Sequence, residues 1–117
     1  MLKDFKIGNS ILKIEVADGF FSRLRGLMGK KNLPQGHGLL LSPCNSVHML
    51  FMRFPIDVVY IDKNFVVKKI VRDLKTWTGV SICFGAWSAI ELAAGESARL
   101  NLKIGDKIFQ PISSAET

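Results

Sequence analysis

Three observations predict a mainly β domain, a small antiparallel sandwich or barrel with one short amphipathic helix after the first hairpin. Short apolar runs of strand length recur at roughly even spacing, separated by Gly, Pro, Asn and Asp turn chemistry. Only one stretch, between residues 18 and 29, follows a helical period. No strand–helix–strand alternation appears, which argues against a doubly wound parallel sheet. The 117 residues suit one domain, and with 48% hydrophobic residues a core forms without disulfides or metal. Residues 1–112 are expected to make that domain, with a polar, frayed tail over 113–117.

The elements follow in order. Residues 3–16 read as a hairpin, because Phe5 and Ile7, then Leu12, Ile14 and Val16, alternate with charged residues around a Gly8-Asn9 turn. Asp18 offers a helix N-cap, and Phe20, Phe21, Leu24, Leu27 and Met28 make one apolar stripe, with Gly29 as a stop. Arg23 and Arg25 lie off that stripe. The run 38–42 is a buried strand, and 47–54 a second strand ended by Pro55. Residues 56–61 and 65–71 form a hairpin about Asp62-Lys63-Asn64. The pattern fails over 74–86, a long excursion loop of the kind that often carries function. Residues 88–93 form a strand, 96–102 hold a single helical turn, and 107–111 form a last strand.

Charge and cysteine usage narrow the function classes. The net charge of +6 brings nucleic acid or an anionic surface into consideration, yet the 16 basic residues are scattered, so a charge-driven nucleic-acid binder ranks below other readings. Two cysteines, Cys44 and Cys83, make no disulfide framework. Neither a signal peptide nor an apolar run long enough to span a membrane is visible, so free thiols in the cytoplasm are expected.

The unusual residues gather in two places, residues 43–62 and the 77–87 loop. Cys44 and His48, with Asp57, could serve a small hydrolase or transferase, but such chemistry needs a base beside the thiol and a third, orienting group. A zinc site would need four ligands in paired short spacings, and Cys44, His48, Cys83 and His37 show no such pairing, so no metal and no cofactor are expected. Asp57 and Glu91 stand in apolar surroundings and want a partner, for which Arg23 or Arg25 is the obvious choice. Those arginines would then either tie the helix to the sheet or line an anion-accepting pocket. Trp77, Phe84 and Trp87 could stack a planar ring, or plug the end of the β core. No phosphate-loop, dinucleotide or nucleophile-elbow motif is present.

Three stretches together resemble the family known as domain of unknown function 192, or uncharacterised protein family 0127. They are Arg25-Gly26-Leu27-Met28; His48-Met49 through Pro55-Ile56-Asp57 to Asp62; and Ile90-Glu91-Leu92 with Gly95 and Gly105-Asp106. The chain departs where many members carry Phe-Trp-Met-Lys, having Val47-His48-Met49-Leu50 instead. The resemblance implies a compact β domain of bacterial type, exported in some members, with no agreed activity, substrate or cofactor.

These observations favour a non-enzymatic ligand-binding or accessory module. Its pocket is expected between the helix end, residues 44–57 and the 77–87 loop. Candidate contacts are Arg23, Arg25, Cys44, His48, Met49, Asp57, Trp77 and Trp87, and a small anionic ligand or a protein is the expected partner.

Overall fold

The computed structural model describes residues 2–19, 27, 30–49 and 51–110. Among them are eight strands and one helical turn. The strands are β1 (Leu2–Ile7), β2 (Ser10–Ala17), β3 (His37–Leu41), β4 (Ser46–His48), β5 (Ile56–Ile61), β6 (Val67–Leu74), β7 (Val80–Ile82) and β8 (Ser88–Ala93). The turn, α1, is Glu96–Arg99. The expected helix over 18–29, with Arg23 and Arg25, lies outside the described residues apart from Asp18, Gly19 and Leu27, as does the tail over 113–117.

Six strands form one sheet in the order β1-β2-β3-β8-β5-β6. Alternation sets which side faces in: Phe5 and Ile7 of β1 and Leu12 and Ile14 of β2 are buried, while Lys6 and Lys13 between them are exposed. The sheet is not purely antiparallel, as the sequence led us to expect. Strand β3 runs parallel to β2, with Ala17 opposite Leu41, because residues 18–36 carry the chain back to the start of the sheet before β3 begins. A crossover of that length is what a parallel neighbour requires.

Residues 106–109 close the sheet. Lys6 and Phe109 exchange backbone hydrogen bonds of 2.6 and 3.0 Å at the β1 edge. Val67 N–H donates to the Asp106 carbonyl, and Ile108 N–H to the Phe65 carbonyl, at the β6 edge. One short segment thus bridges both outer strands, and the sheet becomes a small barrel without long open edges. The expected last strand is therefore present only as two isolated bridges.

The central strands are buried on both faces. Inside the barrel, Phe5, Ile7, Leu12, Ile14, Leu40, Val59, Ile61, Ile90 and Leu92 pack with Leu100 and Leu102, which follow α1. Gly38 faces this interior, where a Cβ would lie 2.8 Å from both Ile14 and Leu92, so only glycine fits. Outside, Leu39, Leu41, Ile56, Val58, Tyr60 and Ala89 pack with Leu27, Val47, Met49 and Met52. This second core explains why β5 and β8 read as nearly continuous apolar runs.

Candidate functional site

The second core is roofed by the two segments that the sequence marks as unusual. Strands β4 and β7 pair antiparallel with Val47 opposite Ser81. The zipping continues beyond them: Met49 N–H donates to Gly79, Trp77 N–H to Met49, Cys83 N–H to Asn45, and Cys44 N–H to Trp87. The expected strand over 47–54 is cut to three residues, since Phe51 takes a positive φ of 62° and Met52 N–H turns back onto Met49. Conversely, the expected loop over 74–86 contains β7. Period-2 alternation could not reveal so short a strand.

The ribbon's two faces differ. Val47 and Ser81 point inward, and Tyr60 O–H of β5 donates to Ser81 Oγ at 3.0 Å. Burial of the Tyr60 phenol raises its pKa above the ordinary tyrosine value. Close approach fixes the ribbon's end, because a Cβ on Gly79 would lie 2.4 Å from the Lys75 carbonyl and 2.9 Å from Met49. Ser46, His48, Val80 and Ile82 face outward.

Large apolar side chains follow one another along this exposed region. Val80 is 74% exposed, Phe84 84%, and Phe51, Trp77, Ile82 and Trp87 are between 43% and 59% exposed. Phe51 and Trp77 make an edge-to-face pair at 5.4 Å, and Trp77 also has a positive φ, of 66°. Two aromatic residues held at costly backbone angles, with their rings in solvent, are poor for stability and typical of contact sites. Lys63 stands 4.5 Å over the Trp87 ring, and Lys69 Nζ donates to the Ile82 carbonyl at 2.9 Å. Neither 43–54 nor 74–87 contains an Asp or Glu, while Arg53 and Lys75 add positive charge.

The structure brings some expected site residues together and separates others. Cys44 and Trp87 line one recess of about 240 Å³ with Pro43, Asn45 and Ala86. Both cysteines are half-buried against the second core. His48 and Trp77 are exposed on the ribbon, whereas Met49 is a core residue with no exposed surface. Asp57 belongs elsewhere. It pairs with Leu92 and faces the barrel interior, opposite to the ribbon. Its Oδ2 accepts from Gly95 N–H, Ser97 N–H and Ser97 O–H, and its Oδ1 from Asp73 N–H. Asp57 therefore caps α1 from a neighbouring strand through these donors, while the arginines expected to partner it, Arg23 and Arg25, lie outside the described residues. His48 and Asp57 lie on opposite sides of the sheet and share no cleft. Among the described residues, no group of three metal-ligating side chains converges.

Glu91 is the other buried carboxylate. It faces the second core from β8, with Leu39 and Val58 as its cross-strand neighbours. Burial pushes its pKa up to about 8, and its Oε2 has no hydrogen-bond partner among the described residues. A wider recess of about 450 Å³ lies over β2 and β3, lined by Lys13, Glu15, Leu27, His37 and Leu39 among others. Sequence reasoning missed Phe51, Val80 and Ile82; the absence of acids from both segments was the signal that could have found them.

Comparison with known proteins places the chain. The family DUF192, an uncharacterized ACR, matches residues 4–109, and the chain belongs to this family. UPF0127 proteins of Thermococcus sibiricus and Pyrococcus horikoshii are each 34% identical to it over 82% of the chain. The match spans 64% of the Thermococcus protein and 85% of the Pyrococcus one. The crystal structure of a Novosphingobium aromaticivorans protein of unknown function shares the fold, with a TM-score of 0.83 at 20% identity over 92% of this chain and 84% of that one. A Sinorhizobium meliloti protein, labelled a candidate transcription regulator, gives a TM-score of 0.81 at 21% identity over 86% and 83%. The two relatives are archaeal and the two structural neighbours bacterial, so a bacterial-type family is not shown. Among the described residues no helix is long and apolar enough to cross a membrane.

Proposed function

We propose that this domain is a non-enzymatic binding or accessory module whose contact surface is the β4–β7 ribbon with its flanking aromatics. The observation that carries the reading is the run of six large apolar side chains, from Phe51 to Trp87, exposed on two segments that contain no acid. Contiguous exposed apolar surface with a polar rim marks an interaction site more often than it marks idle surface. Aromatic anchors beside cations are also the residue types that dominate contact energies. A small anionic ligand would sit in the recess under Trp87, with Lys63 at its rim.

Site-directed photo-crosslinking tests the reading. A benzophenone amino acid replaces Ile82 or Phe84 and, as controls, the exposed Ile11 or Ile104. Irradiation in an extract of the native cells is expected to give discrete adducts from positions 82 and 84 only. Adducts from all four positions, or from none, would overturn the proposal. Adducts with nucleic acid that vanish steeply with added salt would favour the charge-driven reading instead.

A further inference from the structure

We propose that the ribbon's partner is an extended polypeptide segment of alternating acidic and apolar residues, which adds as a third strand to the free edge of β7; this rests on the reading above. The ladder geometry supplies the first reason. The bonds between Met49 and Gly79, and between Cys83 and Asn45, put the hydrogen-bonded pairs at 45:83, 47:81 and 49:79. The backbone groups of Val80 and Ile82 therefore point away from β4. Apart from the Ile82 carbonyl, which takes Lys69 Nζ, they have no partner among the described residues. Val80 is 74% exposed, and β6 approaches β7 with Lys69 on the Ile82 carbonyl. A three-residue strand in a two-stranded sheet is marginal alone, and a third strand completes it.

The ribbon's two faces set the alternation. A strand beside β7 places every second side chain on the outer face, next to the row Val80 and Ile82, where apolar groups gain contact. The intervening side chains point to the side from which Lys69 reaches the Ile82 carbonyl, where acidic groups are favoured. The absence of any acid from both ribbon segments leaves that charge demand unmet within them. Other occupants fit less well. A second copy of the chain would bring Lys69 against Lys69 across the edge and set +6 against +6. A lipid surface would leave the free N–H and C=O groups unpaired in hydrocarbon.

Amide exchange of the full chain tests the inference. Three peptides of about ten residues, long enough to cover one strand, serve as probes: Glu alternating with Val, Lys alternating with Val, and the Glu peptide N-methylated along one edge. The Glu peptide is expected to slow exchange of the Val80 and Ile82 amides by about tenfold or more, with binding that weakens as salt rises. The N-methylated peptide is expected to bind at least about tenfold more weakly, since the lost hydrogen bonds carry the affinity. Equal binding of the Lys peptide overturns the proposal, as does binding of the Glu peptide without protection at Val80 and Ile82. So does capture by anionic lipid vesicles that leaves both amides unprotected. If crosslinks form at 82 and 84 yet no probe protects the edge, strand addition falls and the binding surface stands. If no crosslink forms, both fall.

Discussion

Asp57 and Glu91 sit on adjacent strands, one on each face of the same sheet, and the protein treats them in opposite ways. At the barrel end, four donors converge on Asp57 from β6, from the residue before α1 and from α1 itself. On the outer face, Glu91 lies between Leu39 and Val58, with one oxygen unpartnered among the described residues. A buried carboxylate that meets donors is satisfied by them, whereas burial without them favours the protonated form, as at Glu91. The difference shows where the fold has used its polar groups. The barrel end is finished structure, with both oxygens of its carboxylate accepting hydrogen bonds. The outer face, under the ribbon, carries a carboxylate oxygen unmet by the described residues and an exposed apolar roof.

Asp57→Ala is expected to have the largest effect. It strands the N–H groups of Asp73, Gly95 and Ser97 and the Ser97 hydroxyl, at a cost of about 3–5 kcal/mol. Urea denaturation measures it. A loss under about 1 kcal/mol, the size of one ordinary hydrogen bond, would mean that the capping network contributes little.

Glu91→Gln should come next, through its pH dependence. The native carboxyl holds its proton up to about pH 8, whereas the unfolded chain releases it near the ordinary value of 4.5. The stabilisation is thus complete below pH 4.5 and is lost as pH rises towards 8, with a limiting slope of about 1.4 kcal/mol per pH unit. Between pH 5 and 7 wild type should lose up to about 3 kcal/mol through this group, and Glu91→Gln should not. Parallel profiles for the two proteins would show that the carboxylate is paired in the fold, as the sequence suggests for Arg23 or Arg25.

The contrast between the two faces also marks what the sequence disclosed. Strand β5 falls where its apolar run ends, at Pro55 and Asp62, and β8 ends just before the Gly95 turn, because burial on both faces writes a nearly continuous pattern. The hairpin of β1 and β2 is equally clear from alternation. The parallel placement of β3 was not legible, since a buried strand has the same composition in either direction. Strands β4 and β7 were hidden because three residues carry no period, and their pairing depends on contacts between segments more than thirty positions apart. The site was half legible. Trp77, Trp87 and Cys44 stand out by residue type, but nothing local says that Met49 turns inward while Phe51 turns out. The donors to Asp57 were hidden for a related reason: a carboxylate needing donors reads alike whether arginine, backbone N–H or both supply them.

Smaller effects sharpen the comparison at the ribbon. Tyr60→Phe removes the bond to Ser81 that ties ribbon to sheet, and should cost about 1 kcal/mol. The same change should raise amide exchange at Ser81 and Cys83 relative to the barrel strands. Uniform exchange across both regions would mean that they unfold as one unit.

Phe84→Ser should have the smallest effect on stability and therefore separates contact from core most cleanly. With 84% of Phe84 exposed, its removal takes almost no buried area from the fold. The expected change in unfolding free energy is within about 0.5 kcal/mol, as for other surface substitutions. A loss above about 1 kcal/mol would identify the ring as a plug for the second core and remove it from the contact surface. A neutral change leaves a large aromatic side chain that the fold does not need, three positions before Trp87, where the proposed partner could use it. The barrel explains its own residues by packing; the ribbon's exposed aromatics would be explained by the proposed partner.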